Sequence, residues 1–214
     1  MKNKSKVLIL LFSAMLLVGA SVLGTMAYLK SSDTVENTFT VGSVKIKLDE
    51  ADVNKDGSYV SDHDARVKEN EYHLLPGHTY IKDPTVTVLK GSEASYVRML
   101  VTVNEQADLD AIFEPSGADL TSIFGGVSSD WTLYREKENG DDTRTYEFRY
   151  NSTVAALDDD LVLDDLFETI TVPSSITGEQ LATIADLKIT VVANAIQADG
   201  FDNADAAWIA FGDN

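Results

Sequence analysis

With 214 residues the chain has room for one sizeable core, and its 17 lysine and arginine residues against 35 aspartate and glutamate give a formal net charge of −18. Such an excess of negative charge repels nucleic acid and anionic membrane, because an acidic partner gains no counterion-release energy from either. Cysteine is absent, which excludes disulfides, thiolate metal sites and a cysteine nucleophile and leaves stability to packing.

The chain opens with Lys2, Lys4 and Lys6, runs apolar from Val7 to Leu23, and then offers the small-residue stretch Gly24-Thr25-Met26-Ala27. This is the pattern of a signal peptide over residues 1–27, cut between Ala27 and Tyr28. An uncleaved anchor is the alternative, since about 20 apolar residues span a bilayer, and the leader is the only expected contact with a membrane. Cleavage removes three lysines and no acidic residue, leaving 14 basic against 35 acidic residues and a formal charge of −21.

Residues 28–214 read as one domain with a mobile N-terminal strand over 28–48. Asn37 to Val41 is strand-like, Gly42 marks a bend or bulge, and Val44-Lys-Ile-Lys-Leu48 alternates apolar and basic residues. Because side chains alternate along a strand, the bend at Gly42 lets Phe39 and Val41 share a face with Val44, Ile46 and Leu48. A polar loop follows from Glu50 to Glu71, strand character returns over Glu71 to Leu75, and Pro76-Gly77 makes a turn. Pro84 to Leu89 and Tyr96 to Val103 then predict a hairpin, with Val97, Met99, Val101 and Val103 on one face and Arg98 and Thr102 on the other.

Asn104 is placed to cap a short helix through Phe113. Trp131 to Glu136 and Thr143 to Tyr150 predict a second hairpin about Asn139-Gly140, with Tyr146, Phe148 and Tyr150 alternating against Glu147 and Arg149. Glu168 to Val172 is a further strand, and Thr177-Gly-Glu-Gln180 has capping-box spacing for a helix carrying Leu181 and Ile184. Leu187 to Ile196 is another strand, and Asp202 or Asn203 caps a helix from Ala204 to Phe211 with an apolar stripe through Trp208. Many short strands with inserted short helices and no βαβ rhythm predict an all-β, antiparallel sandwich.

Two candidate metal sites can be weighed. A zinc peptidase commonly sets two histidines one helical turn apart about a glutamate, whereas His63, His73 and His78 form no such motif and the last two flank a turn. No nucleophile elbow or phosphate loop is present either, so no enzyme is expected. Asp52, Asn54 and Asp56, with Gly57 at the sixth position, resemble the start of a calcium loop. The twelfth position is His63, between Asp62 and Asp64, so calcium ligation and a merely solvated acidic loop both stay open.

The leader junction Gly24-Thr25-Met26-Ala27-Tyr28, the stretch Asn37-Thr-Phe-Thr-Val-Gly-Ser-Val-Lys-Ile46, then Leu75-Pro-Gly77, Lys82-Asp-Pro-Thr-Val-Thr-Val88, and Ala195-Ile-Gln-Ala-Asp-Gly-Phe201 together resemble the TasA and camelysin family of Gram-positive bacteria. The resemblance implies a jelly-roll β-sandwich, a leader processed by a SipW-type signal peptidase, and secretion to the extracellular matrix or cell surface. It further implies self-assembly into biofilm matrix fibres, with Phe39, Val41, Val44, Ile46 and Leu48 as the donated strand. The alternative is a monomeric cell- or spore-surface protein, with calcium binding left open, and a metallopeptidase, as members have also been classed, is the third reading.

Overall fold

The computed structural model describes residues 42–61, 64–113 and 120–212, together with Lys6, Leu11, Ala14 and Met15. The chain divides into two compact units, Met1–Thr40 and Val41–Asn214. In the first, the four described residues are helical and exposed. Among the described residues no helix is long and apolar enough to cross a membrane. Ala27, Tyr28, Phe39, Val41 and His63 lie outside the described residues.

The second unit is an all-β antiparallel sandwich with short inserted helices. Its strands are β1 (Ile46–Ala51), β2 (Arg66–Val67), β3 (Thr79–Ile81), β4 (Thr85–Val88), β5 (Ser92–Asn104), β6 (Phe124–Gly125), β7 (Trp131–Glu138), β8 (Thr143–Tyr150), β9 (Val154–Ala156), β10 (Leu161–Val162), β11 (Thr169–Thr171) and β12 (Ile189–Gln197). Its helices are α1 (Gln106–Phe113), α2 (Gly178–Thr183) and α3 (Ala204–Phe211), with a 3₁₀ turn at Leu120–Ile123.

One layer has the order β12-β5-β8-β7, with β9 continuing beside β5. The other is assembled from β10-β4-β1-β2 and β3-β11-β6. Backbone bonds from Lys82 to Glu168, Leu166 to Pro84 and Leu163 to Val86 carry the ladder across the gap, so these two small sheets run on as one layer. Pro84 sits at that gap, where its missing N–H costs no ladder bond.

Asp83 to Val103 is not the predicted hairpin. β4 pairs with β1 and β10, whereas β5 pairs with β12 and β8, so the turn at Lys90-Gly91 carries the chain from one layer to the other. The reason lies in the apolar faces. Val86 and Val88 in one layer and Val97, Met99, Val101 and Val103 in the other are all buried in a shared core, which facing sheets permit. Gly91 turns with φ +80°, and the Ser92 hydroxyl joins the two layers by donating to Leu89 O and accepting from Lys45 N.

Two other expectations are corrected. Glu71 to Leu75 is coil, because the Tyr80 hydroxyl accepts from Leu75 N and donates to His73 O at 2.7 Å each, doing the work of a ladder. Asn104 does not cap α1. Its side chain is spent on Asp186 O and Lys188 N, and Asp142 takes the cap by accepting from Ala107 N at 2.9 Å. The capping box at Thr177 and Gln180 forms as expected, as does the Asn203 cap, which accepts from Ala206 N.

The outer face of β5 and β8 is not solvated. Glu147 is 1% exposed and Arg98 2%, because α3 lies over them. Glu147 accepts from Arg149 Nε at 2.7 Å and faces Arg135 Nη2 at 2.8 Å and Arg98 Nη1 at 3.6 Å. The Arg98 guanidinium stacks 4.4 Å from the Trp208 ring and 5.2 Å from Phe211. Arg149 reaches Asp205 in the first turn of α3, which also accepts from the Tyr134 hydroxyl. A buried carboxylate among arginines is tolerable because the charges neutralise one another where water cannot.

Candidate functional site: an interlayer cleft beside β12

Among the described residues the two layers leave a gap along the side bounded by β12. Between them lies a cleft of about 830 Å³. Its walls are Leu48 of β1, Phe113 of α1, Ile184 beside α2, and Ile189 and Val191 of β12, over a floor that includes Tyr80 and Ile170. The inward residues of β12, Ile189, Val191, Ala193 and Ala195, pack against the core yet remain only half-buried. Apolar side chains left partly in water beside a groove are the usual mark of a binding surface.

A polar pole closes one end of the cleft. Lys82 and Glu50 form a buried ion pair at 2.5 Å, and Asn70 donates to the other Glu50 oxygen at 2.9 Å. Tyr72 stands beside them, edge-on to Tyr80 at 5.7 Å, and donates to Ile81 O. Burial, then the negative charges of Glu50 and Asp83, push its hydroxyl well above the usual phenol range. Each of these groups thus has a hydrogen-bond or ion-pair partner.

The backbone of β12 sets the second feature. Asn104 N donates to Lys188 O and Ala198 N to Ala94 O, and the register pairs Ile189 with Val103 through Gln197 with Ser95. Antiparallel ladders alternate, so Thr190, Val192, Asn194 and Ile196 turn their N–H and C=O groups toward β5. Ile189, Val191, Ala193, Ala195 and Gln197 turn theirs outward. Among the described residues β12 pairs with no strand but β5, and of these outward groups Ala193 O accepts from the Asn194 side chain at 3.2 Å.

Of the residues singled out from sequence, Ile46 and Leu48 lie in β1, opposite Val88 and Val86 of the same chain. Val44 precedes β1 and lines, with Gly42, Ser43, Ala195, Gln197 and Phe211, a groove of about 370 Å³. A Cβ on Gly42 would fall 2.9 Å from Glu93 Cγ, which accounts for the glycine. Asn54 and Asp56 fall in a tight turn: the Asp56 carboxylate accepts from Ser58 N at 3.0 Å and its hydroxyl at 2.6 Å, and Asn54 Nδ2 donates to Tyr59 O. Those bonds, Ser58 foremost, hold the Asp56 carboxyl below the usual range. Gly57 is required there, since a Cβ would lie 2.7 Å from Tyr80.

Asp52 is half-buried and its backbone N–H donates to Ala65 O. His78 Nε2 contacts Asp56 O at 3.0 Å, and His73 is exposed at the cleft rim. Among the described residues no three histidine, aspartate or glutamate side chains gather as metal ligands.

Sequence reasoning found β12 as a strand but missed that it is an edge. The available signal was the stretch Ile189-Thr-Val-Val-Ala-Asn-Ala-Ile-Gln197, which carries neither a charge nor a proline. No protein-family model, curated protein or solved structure matches the chain.

Proposed function

We propose that the protein is a secreted structural subunit of an extracellular matrix fibre, assembled by addition of a strand from one subunit to the sandwich of the next. The open, apolar cleft between the layers supports this reading: an incomplete core gains stability from an incoming strand, and each large apolar side chain that becomes fully buried contributes about 1.5–3 kcal/mol. The resemblance of the leader junction and of Phe39 to Leu48 to the TasA and camelysin family supports it as well. Ile46 and Leu48 pair within their own subunit, so the donated part is the segment before Gly42, carrying Phe39 and Val41. A SipW-type peptidase cutting between Ala27 and Tyr28 would free it.

Negative-stain microscopy of the secreted protein, beside a variant lacking residues 28–41, tests the proposal. Fibres from the first and folded monomer from the second are expected. Monomer from both at millimolar concentration would overturn it in favour of a monomeric surface protein.

A further inference from the structure

We propose that Lys82 and Asn70 join in an intramolecular isopeptide bond, formed with loss of ammonia and with Glu50 carrying the protons. The inference concerns the polar pole of the cleft and stands apart from the strand-addition reading.

Three side chains from three segments meet there. Glu50 comes from β1, Lys82 follows β3, and Asn70 lies in the coil between β2 and β3. Lys82 and Glu50 are each 7% exposed. One Glu50 oxygen holds Lys82 Nζ at 2.5 Å and the other holds Asn70 Nδ2 at 2.9 Å, so a single carboxylate brings an amine and an amide together. The backbone orients that amide. Its Nδ2 also donates to Ala51 O at 2.8 Å, and its Oδ1 accepts from Val53 N at 3.1 Å. A backbone acceptor on one side and a backbone donor on the other decide which amide atom points where. The Tyr72 ring, its centroid 5.9 Å from Nζ, covers the amine.

Each group matches a requirement of acyl transfer to an amine. Lysine is a nucleophile only as the neutral amine, and here its proton has an acceptor in Glu50. That transfer turns an ion pair into two uncharged groups, which suits a site where charge is costly to bury. Nζ then attacks Asn70 Cγ, and negative charge develops on Oδ1, where the Val53 N–H already points as an oxyanion donor must. Glu50 gives its proton to Nδ2 and takes one from Nζ, acting as acid and base in turn. The Cγ–Nδ2 bond breaks, ammonia leaves, and the Nζ–Cγ amide remains beside a protonated Glu50. No oxidant, reductant or second substrate enters the balance. The link closes the loop from Asn70 to Lys82, which carries Tyr72 and Tyr80 to the cleft. It restrains the unfolded chain as a disulfide would, in a protein that has no cysteine.

Mass spectrometry of tryptic peptides tests this, using the full chain unfolded in urea before digestion so that burial shields no site. Between Lys68 and Lys90 the sequence offers trypsin only Lys82. The linked protein is expected to give a peptide 69–90, uncut at Lys82 and lighter than its sequence by about 17 Da, the mass of ammonia. Lys82→Arg keeps the charge but has no amine, and is expected to give peptides of full mass cut after position 82. Glu50→Gln keeps the shape but cannot carry the proton, and is expected to show no loss of ammonia.

Parent peptides cut at Lys82, or a peptide 69–90 of full mass, would overturn the proposal. A loss of ammonia that maps to Asn139-Gly140 instead would do the same, since that pair can cyclise unaided. A link that persists in Glu50→Gln would overturn Glu50 as the proton carrier. Should Glu50→Gln unfold by circular dichroism, the parent peptide and Lys82→Arg decide alone.

Discussion

Removing the Glu147 carboxylate tests how α3 and the outer face of β5 and β8 are held together. In Glu147→Ala three arginines lose their shared counter-charge, but they do not lose equally. The Arg135 side chain is 43% exposed, so water recovers most of its loss, which is worth about 0–1 kcal/mol. Arg149 keeps Asp205. Arg98, whose side chain is 3% exposed beneath Trp208, keeps its bond to Asn194 Oδ1 but loses the Glu147 charge where water cannot replace it, and breaking a buried pair costs about 3–5 kcal/mol. At about 2–4 °C per kcal/mol for a domain of this size, the melting temperature should fall by about 6–20 °C. Thermal unfolding by circular dichroism measures it, with Arg135→Ala as the control expected to move it by about 4 °C or less. The double variant Arg98→Met with Glu147→Leu removes the charges together and should recover most of the loss, because an apolar pair of similar volume needs no counter-charge. Equal shifts for Glu147→Ala and Arg135→Ala would refute the reasoning.

The two ends of the N-terminal stretch should separate: Ile46→Asp places a carboxylate opposite Val88 at the core margin and should cost about 2–3 kcal/mol in urea unfolding, whereas Phe39→Asp should leave a folded, soluble monomer by sedimentation. For Asp49, burial alone would raise the carboxyl pKa, but the hydrogen bonds and charges of Lys47 and Arg66 outweigh it and bring it below the ordinary value. A depressed folded pKa means that its contribution is complete above about pH 4 and is lost as pH falls through the lower folded value, so the urea midpoint should decline below about pH 4 and decline less steeply in Arg66→Met. Ligation of calcium by Asp52, Asn54 and Asp56 predicts a melting temperature that rises with calcium and no longer rises in Asp56→Ala; a turn that only closes the backbone predicts the same modest loss from Asp56→Ala with and without the ion.

Local chemistry carried much of the fold in legible form. Thr177 with Gln180, Asn203 before α3, and Asn139-Gly140 between β7 and β8 act through neighbours a few residues away, so the sequence alone places them. The alternation from Val97 to Val103 likewise announces a face that must be buried, since a strand's side chains have a period of two. That period says which face is covered and is silent on which strand lies alongside. Hence β4 and β5, adjacent in the chain and both apolar on one side, read as hairpin partners, yet they meet face to face across the core.

Alternation puts Glu147 and Arg98 on the face opposite the apolar side chains, and only α3, arriving from more than fifty residues later in the chain, supplies the cover while arginines from three strands supply the neutralisation. The candidate site depends on the same long-range arrangement. That Ile189 to Gln197 is a strand is written in its β-branched and apolar residues, but its place at the end of the strand order among the described residues, beside the cleft, is a property of the whole sheet that no local stretch contains.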